Sequence, residues 1–258
     1  MSFNRKLAAL ILSACFCGIV FLSLDDYGIT LDEGVYFHVG NSYFRWWQKP
    51  SLASIDTYWK INSEHPPLPK LLGGMTTYLF HEKLNLRNTI SSFRLATLIF
   101  VFFSTYFLFL FLQELVDFKI ALIATASFFF LPRVFFHSHL GAMDYPMTSL
   151  WLMVIYTYWK GVRDRKWIIL SSILLGFALL TKVNAFFIYI PLLFCWLLFH
   201  YGDLRNIVQK KSGAKWSQGV KLSSIHDDIN EHKASHSRES GNPGLSLRKQ
   251  GTISKIVD

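Results

Sequence analysis

Six long apolar runs constrain this chain more than any other feature of its sequence. They occupy residues 7–24, 95–112, 120–136, 146–159, 167–180 and 185–199. The first three approach the ~20 residues that a helix needs to cross a bilayer, whereas the last three need flanking residues or a locally thin bilayer. We therefore predict an all-α fold, a polytopic transmembrane helix bundle of about six spans with short interfacial helices in a large outer loop.

Composition supports a membrane as the solvent. Of the 258 residues, 52% are hydrophobic and 17% are charged, whereas soluble domains carry about 25% charged residues. The net charge of +9 would suit nucleic acid, but the basic residues concentrate in the stretch 160–166 and in the tail after Tyr201. This placement is typical of cytoplasmic loops, so we expect no nucleic-acid partner.

The topology follows from where the positive charges lie. Arg5 and Lys6 precede the first run, which is longer than the apolar core of a cleaved signal peptide, so we predict a retained signal anchor with a cytoplasmic N-terminus. Six crossings then place residues 160–166 in the cytoplasm, as the positive-inside rule requires. Residues 68–80 are apolar but short, and we predict an interfacial or re-entrant helix there. The expected location is the inner (plasma) membrane.

This topology divides the chain into two parts. Residues 1–200 form the predicted transmembrane module, whose outer side receives the long loop 25–93, the short loop 137–145 and the turn 181–184. Residues 201–258 are rich in Lys, Ser, Asn and Gly without a hydrophobic period, and we predict a disordered cytoplasmic tail.

The long outer loop begins with acidic residues that include Asp32 and Glu33. A carboxylate held just outside a membrane can accept a proton from a hydroxyl nucleophile or coordinate a cation that steadies a phosphate leaving group. On residue type alone, a solvated loop carboxylate is a more common reading than a catalytic base.

The same loop carries the segment His65-Pro66-Pro67-Leu68-Pro69-Lys70, and Arg94 follows near its end. Consecutive prolines stiffen the backbone and present the flanking His and Lys side chains with little conformational freedom. Lys70 and Arg94 have the chemistry to bind a phosphate. A helix-start signal and ordinary snorkelling to lipid headgroups remain the alternatives.

The other two outer segments contribute Asp144 and Lys182. An acid at the entrance of a membrane helix is a functional candidate, with helix capping as its alternative. Lys182 runs against the positive-inside trend, which favours contact with an anionic ligand. His137 and His139 lie near Asp144, but this spacing is weak evidence for a metal, and we predict no metal site.

Together these residues resemble the GT-C class of membrane glycosyltransferases, and within it the protein O-mannosyltransferase and aminoarabinose-transferase-like group (glycosyltransferase family 39-like). The resemblance covers roughly residues 1–200 and rests on five short motifs in the family's order. They are Asp32-Glu33 after the first helix, His65 to Lys70 in the same loop, Arg94 at the next helix, Asp144 with Pro146, and Gly176 to Lys182.

The resemblance implies inverting transfer of a sugar from a polyprenyl-phosphate donor to an acceptor hydroxyl, and it leaves a divalent cation open. It implies that Asp32 is the base or orients the acceptor and that Glu33 supports it. The implied substrate-binding residues are His65, Lys70, Arg94, Asp144 and Lys182, with Lys70, Arg94 and Lys182 toward the donor phosphate. The implied partners are membrane lipid, a lipid-linked sugar, and an acceptor glycan, lipid or protein.

The chain departs from this group after His200, where its hydrophobic pattern ends although family members continue through further helices. We therefore expect an N-terminal fragment. Two alternatives stay open: a truncated, catalytically inactive member of the family, or a non-enzymatic transporter-like bundle. Transport is disfavoured because Arg133, the main ionisable residue in the middle runs, lies near the end of its run.

Overall fold

All regular structure in the computed structural model, which describes residues 4–62 and 64–201, is helical. This confirms the predicted all-α class. The predicted tail 201–258 lies outside the described residues beyond its first residue. The helices are α1 (Arg5–Ser23), α2 (Leu31–Gln48), α3 (Ile55–Trp59), α4 (Leu68–Thr77), α5 (Thr89–Leu115), α6 (Phe118–Phe129), α7 (Pro132–Ser138), α8 (Asp144–Gly161), α9 (Arg165–Leu179) and α10 (Val183–Tyr201), with a π-helical segment at Tyr78–Lys83.

Helix α5 is the centre of the bundle and packs against α1, α4, α6 and α8. The side chain of Asn88 caps its first turn by accepting a hydrogen bond from the amide of Ser91 at 2.8 Å. Helix α1 presents Ala9, Phe16 and Val20 to the bundle, and all three are buried. A small residue such as Ala9 allows two membrane helices to approach closely.

The predicted apolar runs all fall on helices, and the chain is a helical membrane bundle. By length and composition, three segments within residues 4–62 and 64–201 are able to span a membrane: Arg5–Asp26, Thr89–Leu115 and Val183–Tyr201. A fourth span results if α6 and α7 count as one, and these two helices bend by 69° at their junction. Pro132 opens α7 at this bend, where its ring and missing N–H interrupt the helix. The count of six spans stays a prediction.

The long outer loop folds into a layer of its own, in which α2 packs on α4 and α4 packs on α5. The predicted short helix at 68–80 corresponds to α4 and the start of the π-helical segment. The contact between α2 and α4 is close because glycines occupy it. A Cβ atom at Gly40 would overlap the carbonyl oxygen of Lys70, and one at Gly74 would overlap the carbonyl oxygen of Gly40.

Gly40→Ala is predicted to destabilise the outer layer, because overpacking of a tight contact costs about 1–3 kcal/mol. Gly34→Ala on the same helix is the matched control, since nothing lies within 4 Å of a Cβ atom there. The measurement is the midpoint of thermal unfolding of each purified variant in detergent. An equal midpoint for the two variants would contradict the close α2–α4 contact.

Candidate functional site

A buried ion pair between Arg94 and Glu33 lies beneath the outer loops. The Arg94 Nε and Nη2 atoms each donate to a Glu33 carboxylate oxygen at 2.7 Å, and the two side chains are only 1% and 0% exposed. The remaining donors reach backbone oxygens: Nη1 bonds Leu24 and Tyr27 at 2.8 and 2.9 Å, and Nη2 bonds Gly28 at 2.8 Å. All five N–H groups of this guanidinium therefore have a partner within the chain.

Glu33 also connects the first outer loop to the second. The backbone amide of Gly141 donates to Glu33 Oε1 at 2.7 Å. Next to this contact, the Thr97 hydroxyl donates to the carbonyl oxygen of Leu140 at 2.8 Å. Gly141 fits because a Cβ atom there would overlap the ring of Phe93. The loop after α7 is thus fixed to the N-terminal turn of α2 and to α5.

His139 anchors the same second loop from within. Its side chain is fully buried, its Nε2 atom lies 2.9 Å from the Ser23 hydroxyl, and its ring packs 4.4 Å from that of Tyr27. Burial lowers the pKa of His139, which keeps the ring neutral. His139 therefore packs inside the loop and stabilises it.

Lys70 is buried below the His-Pro-Pro segment. Its side chain is 1% exposed, and Nζ donates to the His65 carbonyl oxygen at 2.8 Å and to two oxygens of Asn62 at 3.1 and 3.2 Å. Burial lowers the pKa of Lys70 to about 8. Its three donors are engaged by the chain, so Lys70 supports the residues that precede α4.

Other predicted residues lie at the surface around Tyr36. Asp32 is exposed although Glu33 is buried, because successive helical residues point about 100° apart. Burial raises the pKa of Tyr36, and the charges of Asp32, Asp144 and Glu64 raise it further. These three carboxylates therefore lie close enough to act on one hydroxyl group.

His65 joins this group from the other side of Tyr36, with ring centroids 6.2 Å apart. The Leu68 amide donates to the carbonyl oxygen of Leu180 at 3.0 Å, which ties the start of α4 to the end of α9. The segment after Leu180 carries Lys182. The His-Pro-Pro segment and the turn 181–184 are thereby neighbours.

Asp144 and Lys182 form an ion pair at this outer face. Lys182 Nζ lies 2.7 Å from Asp144 Oδ1, with side-chain exposures of 25% and 54%. Burial acts to raise the pKa of Asp144, but the hydrogen bond and charge of Lys182 and the charges of His137 and Arg133 lower it overall. Asp144 does not cap helix α8, because its carboxylate pairs with Lys182 and the N-cap residue is Met143.

A cavity of about 540 Å³ opens beside this ion pair. Its lining includes the basic residues Arg133, His137 and Lys182 and the apolar side chains of Met147, Trp151 and Phe187. Within the described part of the chain, the His137 Nδ1 and Trp151 Nε1 atoms are buried without a hydrogen-bond partner. The cavity suits an amphiphile that carries an anionic headgroup.

The seven predicted residues therefore fall into a buried group and an accessible group. Glu33, Lys70 and Arg94 are buried and satisfied by the chain, whereas Asp32, His65, Asp144 and Lys182 are accessible and lie around Tyr36 or the cavity. The sequence-based selection did not include Arg133 and His137, which line the cavity, although a basic residue near the end of an apolar run was a usable signal. Residues 4–62 and 64–201 contain no group of three metal-ligating side chains.

Comparison with known families gives one match. The family model described as "Dolichyl-phosphate-mannose-protein mannosyltransferase" matches residues 64–215, more than half of the chain. The matched segment contains His65, Arg94, Asp144 and Lys182, and it begins after Asp32. No curated protein and no solved structure matches the chain.

Lys70 is predicted to make stability depend on pH. Its pKa is about 8 in the folded chain against 10.5 as the ordinary value, so between these values the unfolded chain binds more protons and stability rises with pH. Comparing the free energy of unfolding at pH 8 and pH 10.5 should give a rise of roughly 2–3 kcal/mol that Lys70→Met lacks. Parallel profiles for the two proteins would contradict the assignment.

Proposed function

We propose that the chain moves a sugar from a polyprenyl-phosphate donor to an acceptor hydroxyl, because it belongs to the dolichyl-phosphate-mannose-protein mannosyltransferase family. The family description makes mannose the first sugar to test. The observation that carries the proposal is the arrangement of the accessible Asp32 carboxylate and the Asp144–Lys182 pair around Tyr36. Beside them lies a cavity lined by basic and apolar side chains.

Asp32 is the proposed base or acceptor-orienting carboxylate. In an inverting transfer, the acceptor oxygen bonds to the anomeric carbon while the bond from that carbon to the phosphate oxygen breaks. The bonding pair leaves with the polyprenyl phosphate, and the hydroxyl proton passes to Asp32. Exposure leaves Asp32 free to reach a hydroxyl, and no hydrogen bond within the described chain occupies its carboxylate.

Lys182 and Arg133 are the proposed contacts for the donor phosphate, with His137 beside them. A cation near the phosphate stabilises the negative charge that develops on the leaving group. Asp144 orients Lys182 through their 2.7 Å contact. Should transfer depend on a divalent cation, Asp32 and Asp144 are the carboxylates that would hold it.

Arg94 and Lys70 receive a different role from the one that the resemblance implies. All donors of both side chains are used inside the chain. A donor phosphate would have to replace these bonds within a buried setting, which is costly. Both are therefore proposed as positioning residues, and His65 is proposed to contact substrate.

The proposed topology places this chemistry at the outer face of the inner (plasma) membrane, with a cytoplasmic N-terminus and residues 160–166 on the cytoplasmic side. Residues 1–200 are the proposed transmembrane module, and the outer loop 25–93 carries the base. The donor is then a lipid-linked sugar within the membrane, and the acceptor is a glycan, lipid or protein that presents a hydroxyl group.

Asp32→Asn is predicted to abolish sugar transfer, because an amide cannot take the hydroxyl proton, and loss of a base costs about 10²–10⁴-fold in rate. The assay is transfer from a synthetic polyprenyl-phosphate mannose by the full chain in proteoliposomes. Asp56→Asn is the matched control, since Asp56 is an exposed acid of the same loop. Equal transfer rates for the two variants would contradict the assignment of Asp32 as the base. Absence of transfer by the unaltered folded chain would favour a non-catalytic protein.

Lys182→Met is predicted to raise the KM for the donor by roughly 10- to 100-fold, because a charged hydrogen bond to the phosphate is lost. Lys166→Met, which removes a lysine from the opposite predicted side, is the control. Steady-state transfer at varied donor concentration gives both constants. An unchanged KM with a lower kcat would show that Lys182 does not bind the donor in its ground state.

A further inference from the structure

We propose that a second, polar cavity on the opposite side of α2 binds a neutral saccharide. The cavity measures about 460 Å³ and lies between α2, α3, the π-helical segment and the start of α5. This volume is within the usual range for small-ligand sites, about 300–1,000 Å³. The side chains that matter for the argument are Phe37, Asn41, Arg45, Tyr58 and Glu82.

The cavity is separate from the proposed transfer site. Asn41 follows Asp32 by nine residues, which is about two and a half helical turns, so the two side chains point to opposite sides of α2. None of the residues Asp32, His65, Asp144 and Lys182 lines the cavity. The proposal concerns binding alone and does not depend on the transfer reaction.

Three polar side chains of the cavity are available to a ligand. Among the described residues, no hydrogen bond or ion pair engages Asn41, Arg45 or Glu82. Arg45 only donates, Glu82 only accepts, and the Asn41 amide does both. A ligand that satisfies all three must offer donors and acceptors together, which is the property of neighbouring hydroxyl groups.

The charges of the cavity favour a neutral ligand. An anion that approaches Arg45 would meet the carboxylate of Glu82, and a cation that approaches Glu82 would meet the guanidinium of Arg45. Phe37 and Tyr58 add flat apolar surface, on which the C–H face of a sugar ring can pack. Together these groups match a saccharide better than a phosphate, a metal ion or an apolar chain.

Hydrogen bonds of other lining residues hold the cavity wall in place. The His81 ring lies 2.9 Å from the Arg87 carbonyl oxygen and 3.2 Å from the Thr89 hydroxyl, and the Ser42 hydroxyl donates to the Tyr58 carbonyl oxygen at 3.2 Å. His81 and Glu82 belong to the π-helical segment Tyr78–Lys83. π-Helical turns are rare and occur frequently at functional sites.

Isothermal titration of the full chain in nanodiscs with mannotriose tests the proposal. We expect saturable binding without any donor lipid. Asn41→Ala and Glu82→Ala should each weaken it by about ten-fold or more, because each leaves a ligand hydroxyl without its partner. Lys60→Ala, an exposed change in the same loop outside the cavity, should not alter it.

Three outcomes would overturn the proposal: no binding of mannotriose, equal binding by the Asn41 and Glu82 variants, or loss of binding in Asp32→Asn, which would place the sugar at the transfer site. Thermal unfolding midpoints of the variants identify any that have not folded. If mannotriose still binds to a chain that shows no transfer activity, the saccharide site is supported although the proposed reaction is not. Failure of the saccharide site and failure of the reaction are therefore distinguishable.

Discussion

The contact between the Arg94 guanidinium and the Glu33 carboxylate is the interaction on which the outer side of this chain depends. A buried ion pair is tolerated only when its remaining donors and acceptors are satisfied, and breaking one costs about 3–5 kcal/mol. Here Arg94 also binds three backbone oxygens between Leu24 and Gly28, and Glu33 also accepts from the Gly141 amide. One pair thereby joins the end of α1, the start of α2, helix α5 and the second outer loop.

This connection explains how accessible side chains come to share one face. Asp32 precedes the buried Glu33 and is held by it at the surface, and Asp144 follows Gly141 by three residues. The Leu68–Leu180 hydrogen bond brings the segment before Lys182 to the same side. Buried Lys70 supports His65 from below. The buried groups fix the backbone, and Asp32 and the Asp144–Lys182 pair remain accessible.

The sequence predicted much of this architecture, because apolar runs determine where membrane helices form. It did not separate buried residues from accessible ones: Arg94 and Lys182 are both cations near the predicted outer surface, and only the backbone oxygens around Arg94 distinguish them. The positions of backbone carbonyl groups cannot be predicted from a pattern of side chains. The same holds for the polar cavity, whose residues Asn41 and Glu82 lie on different helical elements.

Hydrogen exchange in lipid nanodiscs tests most directly whether the Arg94–Glu33 pair joins the two outer loops. In Arg94→Met, which removes the guanidinium and keeps an apolar stem, we predict faster exchange of backbone amides in residues 24–34 and in residues 137–145 together. Residues 55–60, which include α3, should exchange as in the unaltered chain. Faster exchange in only one of the two loops, or in neither, would contradict the central role of this ion pair.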